Sequence, residues 1–199
     1  MNQKATITTA LIGNALTTRR GSVEDAAVLE RTFAYAGHGL AQHLWAKHDG
    51  PDVDLKAVIK QRMVKRITDP ANHFAVAEAA GTPAGSILSY DIGSEPEDTS
   101  ELSPMVRAMV EAENDLLNSH YINALAVFPE FRRMGVAKAL INAAAQAASV
   151  PLSLTVCDTN RGAVTLYESL GFREVSRHEM VKEDWDGEGN WWISMLRDN

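Results

Sequence analysis

The feature that most constrains this chain is a junction between two regular segments within residues 121–149, YINALAVFPEFRRMGVAKALINAAAQAAS. An apolar run typical of a strand gives way to the pair Arg132 and Arg133, and an alanine-rich run with helical spacing begins after Gly135. The next segment, PLSLTVCD, alternates apolar and polar residues as a strand does. Strand, helix and strand in this order predict two parallel strands joined by a crossover helix.

Antiparallel hairpins are predicted on either side of this central unit. The run FAVAEAAGTPAGSILSYDIG predicts one, with Gly81-Thr82-Pro83 as its turn, and the C-terminal region predicts another through the turn DGEGN. Further helices are predicted from the cap residue Ser22 to Gly37, over DLKAVIKQRMVKRI, after Ser103 and over RGAVTLYESL.

Together these elements predict an α/β fold of the α+β type with a mixed, mostly antiparallel sheet, a central parallel strand pair and flanking helices. We expect one domain over residues 17–199, preceded by an N-terminal tail at residues 1–16. The chain of 199 residues is long enough for a single domain with a substantial core.

The amino-acid composition limits what this protein can bind and where it is expected to reside. With 19 Lys+Arg against 26 Asp+Glu, the net charge of −7 argues against non-specific binding to nucleic acid. No apolar run approaches the roughly 20 residues of a membrane span, and the N-terminus is a poor secretory signal. Cys157 is the only cysteine, so no internal disulfide can form and a cytoplasmic location is expected. No metal site is predicted, since metal-ligand spacing is missing around His38, His43, His48 and His73.

The junction before the alanine-rich helix has the chemistry of an anion site. A helix N-terminus presents unpaired backbone N–H groups and a partial positive charge, and Gly135 allows a ligand to approach the backbone closely. Ala137 keeps the next turn small, and the guanidinium groups of Arg132 and Arg133 can bond to phosphate oxygens. Neither the dinucleotide fingerprint G-x-G-x-x-G nor a Gly-Lys-Ser/Thr phosphate loop occurs here.

Two motifs carry a resemblance to a known family. Arg132-x-x-Gly135-x-Ala137, following a strand that ends in VFPE, resembles the acyl-CoA signature of the GNAT superfamily of N-acetyltransferases. The segment NRGAVTLYESLGF, which contains Asn160 and Tyr167, resembles the second signature of the same family. Both motifs stand in the family's order, and the order of elements from about residue 17 onward fits as well.

The resemblance implies where acetyl-CoA would bind. In the family, the two central parallel strands splay apart and the pantetheine arm lies between them. Backbone groups of the first strand would contact the arm and the acetyl carbonyl, the loop over residues 132–137 would hold the pyrophosphate, Asn160 would contact the cofactor arm, and Tyr167 would lie near the sulfur. The implied cofactor-binding residues are Leu125, Ala126, Val127, Arg132, Arg133, Met134, Gly135, Val136, Ala137, Asn160 and Tyr167.

The implied reaction is direct attack of an amine on the thioester. A phenol with a pKa of about 10 stays protonated at neutral pH, so Tyr167 can serve as the general acid for the departing thiolate. No residue identifies itself as the base, and the candidates are Glu78, His120 and Asn123, the last as a positioner of water. Each feature also has a plainer interpretation: Tyr167 has the helical spacing of a core residue, Asn160 that of an N-cap, and Cys157 that of a small apolar strand residue.

Alternatives remain at this stage. One is a GNAT-like module that binds acyl-CoA without catalysis, and another is a nucleotide-binding protein of the doubly wound type. The acceptor is expected to be a small-molecule or peptide amine, and a homodimer is compatible with the family. Aromatic residues at the first helices, Phe33, Tyr35 and Trp45, fit an acceptor pocket or the core equally well. The acidic stretch at residues 95–101 fits a cation attractor or a solvated loop.

Overall fold

A computed structural model describes residues 16–37, 39–49 and 54–198. The predicted tail lies outside the described residues except for Leu16, which already belongs to the first strand, and His38 lies outside them as well. Within the described ranges, no helix is both long and apolar enough to cross a membrane.

Seven strands form one mixed sheet in the order β1-β2-β3-β4-β5-β7-β6. Among the described strands, β4 and β5 are the only parallel neighbours, and every other pair is antiparallel. This arrangement confirms the predicted mixed sheet with a central parallel pair. The strands are β1 Leu16–Arg20, β2 Asn72–Ala79, β3 Thr82–Ile92, β4 Ser119–Val127, β5 Leu152–Cys157, β6 Arg173–Glu179 and β7 Trp191–Arg197.

Six α-helices are described, and they cover both faces of the sheet. A short 3₁₀ turn, Val23–Asp25, leads into α1, and another, Pro129–Phe131, follows β4. The helices are α1 Ala26–Ala36, α2 Leu40–Asp49, α3 Leu55–Thr68, α4 Pro104–Asn114, α5 Val136–Ala147 and α6 Arg161–Ser169.

Local sequence signals account for most of these boundaries. The side chain of Asp54 accepts a hydrogen bond from the backbone N–H of Ala57 at the start of α3, and Gly171 (φ 90°) follows the end of α6 in the left-handed conformation. The first hairpin forms as predicted, but its turn is Ala80-Gly81, both with positive φ. Thr82 and Pro83 begin β3 instead, because two left-handed residues suffice to reverse a pair of twisted strands.

Helix α2 is an element that the sequence analysis did not predict. Its sequence, LAQHLWAKHD, spans only 10 residues, and its apolar stripe is narrow, with Leu40, Ala41, Leu44 and Trp45 among polar residues. Leu40 is nevertheless buried, in a cluster with Met105, Met180 and Trp185. Contacts with distant segments therefore stabilise a helix whose own pattern is weak.

The two faces of the sheet carry separate cores. On one face, α5 and α6 pack over the central strands, with Leu140, Ile141, Leu152, Leu154 and Tyr167 in the largest cluster. On the other face, α1 and α3 pack over β2, β3 and β4, and α2 and α4 pack towards the end of the sheet formed by β5, β6 and β7. A ligand that reaches both faces therefore has to pass through the sheet.

The central parallel strands separate soon after they begin. Pairing between β4 and β5 is confined to His120, Tyr121 and Ile122 against Leu152, Ser153 and Leu154. On its other side, β4 has a bulge at Asn123, since Ile122 pairs with Ser89 and Ala124 with Leu88. Beyond this point β4 remains bonded to β3 and diverges from β5, which confirms the splayed pair expected from the family resemblance.

Candidate active site

A cleft of about 790 Å³ occupies the opening between β4 and β5. Its walls come from β4, β5, the junction and first turn of α5, one side of α6, the end of α1, the segment between β6 and β7, and the start of β7. Among the residues predicted from the sequence, the cleft is lined by Leu125, Val127, Arg132, Arg133, Gly135, Val136, Ala137, Asn160 and Tyr167. The predicted residues Ala126 and Met134 do not line it; Ala126 is buried within β4, and Met134 packs against the largest core cluster.

At one end of the cleft, the backbone before α5 presents a row of unpaired amides. Arg133 (φ 66°) and Gly135 (φ 82°) are both left-handed, so the chain curls into a concave loop just before the helix. Within the described part of the chain, no acceptor is found for the backbone N–H groups of Arg133, Met134, Gly135, Val136, Ala137 and Lys138. Successive amides in such a loop, at the positive end of a helix of 12 residues, form an anion-binding concavity.

The cationic side chains at this end are available to a ligand. Arg132, Arg133 and Lys138 are exposed and line the cleft. Their side chains form no ion pair with any carboxylate of the described residues. The guanidinium and ammonium groups therefore add positive charge to the amide row without prior neutralisation.

The wall formed by β4 combines apolar side chains with one buried amide. Leu125 and Val127 line the cleft, and so does Asn123 at the bulge. The Oδ1 atom of Asn123 is buried and has no hydrogen-bond partner among the described residues. A buried acceptor of this kind is costly unless a ligand or a water molecule donates to it.

Helix α6 brings Asn160 and Tyr167 to the same cleft. Asn160 caps the helix, with its Oδ1 atom 3.3 Å from the backbone nitrogen of Ala163, and it also lines the cleft. Tyr167 is buried with its ring 5.6 Å from that of Phe172, which accounts for the core interpretation as well. Burial raises the pKa of Tyr167 to about 12, so its hydroxyl is protonated throughout the neutral range.

Two of the three predicted base candidates lie away from the cleft. Glu78 forms an ion pair with Arg19, with 2.8 Å between Oε1 and Nε. His120 is buried at the other end of β4, where Nδ1 lies 2.6 Å from Asp91 Oδ1 and Nε2 lies 2.8 Å from Ser89 Oγ. Asn123 is the candidate that lines the cleft.

Further residues of the cleft lie outside the two motifs. They come from the end of α1, from β5, from the segment between β6 and β7 and from the start of β7, and they include Tyr35, Thr155, Trp185, Glu188 and Trp192. Of the aromatic residues considered at the first helices, Tyr35 lines the cleft, whereas Phe33 and Trp45 pack edge-on at 5.6 Å in the core. The adjacent tryptophans Trp191 and Trp192 stand out in the sequence, but only the fold brings Trp192 to this cleft.

Other features of the sequence do not contribute charge to the cleft. The acidic stretch at residues 95–101 does not line it. Cys157 lines it, and its Sγ atom lies 3.0 Å from Thr159 Oγ1 and 3.4 Å from the Glu188 carbonyl oxygen. Over the described ranges, no group of three or more His, Cys, Asp or Glu residues could hold a metal ion.

Comparison with known proteins places this fold and cleft in a class. Residues 41–172 match the Acetyltransferase (GNAT) family, so the chain belongs to the GNAT family of acetyltransferases. No curated protein sequence matches the chain.

Solved structures share the fold at low sequence identity. PaiA N-acetyltransferase of Thermoplasma acidophilum, in complex with coenzyme A, is 15% identical with a TM-score of 0.56, over 93% of this chain and 99% of that one. NAA60 of Arabidopsis thaliana, with a bisubstrate analogue, is 17% identical with a TM-score of 0.60, over 92% and 97%. A chimera of spermidine N-acetyltransferase SpeG of Vibrio cholerae and hSSAT is 19% identical with a TM-score of 0.57, over 92% and 95%.

Proposed function

We propose that this protein transfers an acetyl group from acetyl-CoA to a primary amine, by direct attack within a ternary complex. The single observation that carries the proposal is the row of unpaired amides before α5, which opens into a cleft between splayed strands. Membership of the GNAT acetyltransferase family supports the acyl-transfer chemistry, and the coenzyme A complex of the Thermoplasma acidophilum relative supports the cofactor.

In this proposal the cofactor extends from the amide row into the cleft. The pyrophosphate accepts hydrogen bonds from the backbone of residues 133–138, with added charge from Arg132 and Arg133. The pantetheine arm lies along the edge of β4 that β5 has left, where Leu125, Ala126 and Val127 provide backbone groups. Asn160 contacts the arm from the opposite wall.

The reaction is a substitution at the thioester carbonyl. The amine nitrogen forms a bond to the carbonyl carbon, the carbon–sulfur bond breaks, and the sulfur departs with the electron pair. Tyr167 donates its hydroxyl proton to the sulfur, and the proton released by the amine passes to water. We assign the orientation of that water to Asn123, because its unpaired Oδ1 atom lies in the cleft wall.

Titration calorimetry with acetyl-CoA tests the proposal. We expect saturable binding below the millimolar range, with affinity that falls as salt rises because the contacts are to phosphate. The same protein should release coenzyme A thiol when acetyl-CoA and an acceptor amine are both present. Absence of binding at millimolar acetyl-CoA would reject the proposal.

A non-catalytic acyl-CoA-binding protein is the second candidate function. It is favoured by the positions of Glu78 and His120, which leave the cleft without either of these bases. A panel of amines assayed by thiol release separates the two candidates. Binding of acetyl-CoA without amine-dependent thiol release would favour the non-catalytic protein.

Several features of the biological setting belong to the same proposal. A small-molecule or peptide amine is proposed as acceptor, with a cytoplasmic location and with homodimers as the assembly to be tested by sedimentation. The exposed indole of Trp191 on β7 supports a subunit contact there, since large exposed aromatic side chains are enriched at interfaces.

A further inference from the structure

The two ends of the cleft differ in charge. Arg132, Arg133 and Lys138 line the end next to α5, on one face of the sheet. Trp185 and Trp192 line the other end, where they pack with α2 and α4 on the opposite face. Of the described residues that line the cleft, Glu188 is the only carboxylate, and it belongs to this second end.

Of the other acidic side chains of the same segment, Asp186 does not line the cleft, and Glu183 and Asp184 are already neutralised. Glu183 Oε2 lies 2.6 Å from Lys47 Nζ, and Asp184 Oδ1 lies 3.0 Å from the same ammonium group. Asp184 also lies 3.2 Å from His43 Nε2. For Glu188, in contrast, no cation of the described residues lies within ion-pair distance. Its charge is therefore available to a ligand.

Close packing holds the segment that carries Glu188 against the cleft wall. A Cβ atom at Gly187 would lie 1.9 Å from the Trp185 ring, and one at Gly189 (φ 99°) would lie 2.3 Å from Cys157 Sγ. Asp158 Oδ1 also accepts hydrogen bonds from the backbone N–H groups of Asn190 and Trp191. The backbone on both sides of Glu188 is thus fixed before a ligand arrives, which reduces the entropy lost on binding.

The two tryptophans that line the cleft with Glu188 can also attract a positively charged ligand. The faces of indole rings attract cations, and tryptophan is the strongest of the aromatic side chains in this respect. Trp185 is buried, whereas Trp192 is only partly buried and offers more of its surface to the cleft. A carboxylate and two indoles that line the same cleft therefore favour a positively charged group over a neutral or negative one.

We infer that the acceptor is a cationic amine: an alkylamine that carries a second positive group, which Glu188 binds while Trp185 and Trp192 enclose its alkyl portion. The inference rests on the proposed function and adds the substrate class. The reacting nitrogen, once neutral, faces the thioester, and the remote cation lies at Glu188. Both terminal diamines and amines with a guanidinium tail belong to this proposed class of acceptor.

A matched pair of amines tests this inference. Diaminobutane and aminobutanol have the same chain length and differ in the charge of the far group. We expect the wild-type protein to acetylate diaminobutane with a kcat/KM at least about ten-fold above that for aminobutanol, the factor typical of a charge-assisted hydrogen bond. The variant Glu188→Gln should lose that preference, because its kcat/KM for diaminobutane should fall towards that for aminobutanol.

The control is Asp186→Asn, which removes the same charge two residues away on the same segment. Asp186 is exposed and does not line the cleft, so the preference should persist in this variant. Guanidinobutylamine, tested in parallel, distinguishes a preference for ammonium from one for any cation, and a preference for either cationic amine over aminobutanol supports the inference.

The outcomes separate this inference from the proposed function. Equal turnover of charged and neutral amines, turnover of neither, or an equal loss for both amines in Glu188→Gln would overturn the cationic acceptor. If the wild-type protein still binds acetyl-CoA in that case, the proposed function stands. If it does not bind acetyl-CoA at all, the proposed function itself fails.

Discussion

Arg31 and Glu130 form a bidentate ion pair that joins α1 to the junction before α5, with Nη2 2.9 Å from Oε1 and 3.0 Å from Oε2. The Arg31 guanidinium also lies 3.8 Å from the centre of the Phe128 ring. Phe128 and Glu130 lie directly before the loop that carries the unpaired amides. The pair therefore links the position of that loop to a helix on the opposite face of the sheet.

Replacing Arg31 should weaken cofactor binding more than it weakens the fold. Arg31→Ala removes an exposed pair that contributes little to stability, but it releases one end of the amide loop. We expect the Kd for acetyl-CoA to rise roughly five-fold, the factor that corresponds to about 1 kcal/mol. Titration calorimetry measures it. The control is Arg177→Ala, which removes another exposed bidentate pair, with Glu174, far from the cleft. Equal effects of the two variants would contradict this positioning role.

Gly135 should be needed for both stability and binding. An added Cβ would meet nothing within 4 Å, so the cost of Gly135→Ala arises from its φ of 82° alone. A left-handed residue with a Cβ costs about 1 kcal/mol, and relaxation of that strain would turn the amides away from the pyrophosphate.

The matched control for Gly135→Ala is Gly171→Ala, at φ 90° and away from the cleft. Both variants should lose similar free energy of unfolding in urea, but only Gly135→Ala should bind acetyl-CoA about ten-fold more weakly. If Gly171→Ala impaired binding as much, the effect would be one of general stability.

Removal of the Tyr167 hydroxyl should lower turnover without lowering cofactor affinity. Tyr167→Phe preserves the packing against Phe172 and removes the proton donor, so kcat should fall about a hundred-fold. Steady-state kinetics and calorimetry with acetyl-CoA measure the two quantities. The control is Tyr90→Phe, at a partly buried tyrosine outside the cleft, which should leave kcat near the wild-type value. Unchanged turnover in Tyr167→Phe would exclude its role as general acid.

Glu113 should make the stability of the fold depend on pH. Burial raises the pKa of Glu113 from 4.5 to about 7, against the opposing effect of the nearby Tyr121 and Tyr90 hydroxyls. The folded state thus binds the proton more tightly than the unfolded state, so stability falls as pH rises from about 4.5 to about 7. Glu113→Gln should remove this loss, with a gain of up to about 3 kcal/mol above neutral pH relative to acid pH.

Urea unfolding at several pH values between about 5 and 8 measures the effect of Glu113. The control is Glu111→Gln, an exposed carboxylate on the same helix, whose pH dependence should match that of the wild type. Parallel stability curves for the wild type and Glu113→Gln would refute the contribution of Glu113.

The amide row at one end of the cleft could be predicted from the sequence because neighbouring residues of the chain form it. A strand, an arginine pair, a glycine and a helix start follow one another within a few residues, and the backbone geometry at Gly135 creates the amide row directly. Asn160 and Tyr167, which line the cleft, could be predicted for the same reason, since one is the N-cap of α6 and the other lies within that helix. These residues depend little on which distant segments pack nearby.

What the sequence alone determined is therefore the order of the elements other than α2, the mixed sheet and the residues of the two motifs. Tertiary structure decided that Glu78 and His120 lie outside the cleft, that α2 forms, and that Glu188 lines the cleft. These outcomes depend on contacts between distant segments, such as Lys47 with Glu183, 136 residues apart. Short-range patterns encode backbone geometry, whereas the meeting of such remote side chains follows only from how the whole chain packs.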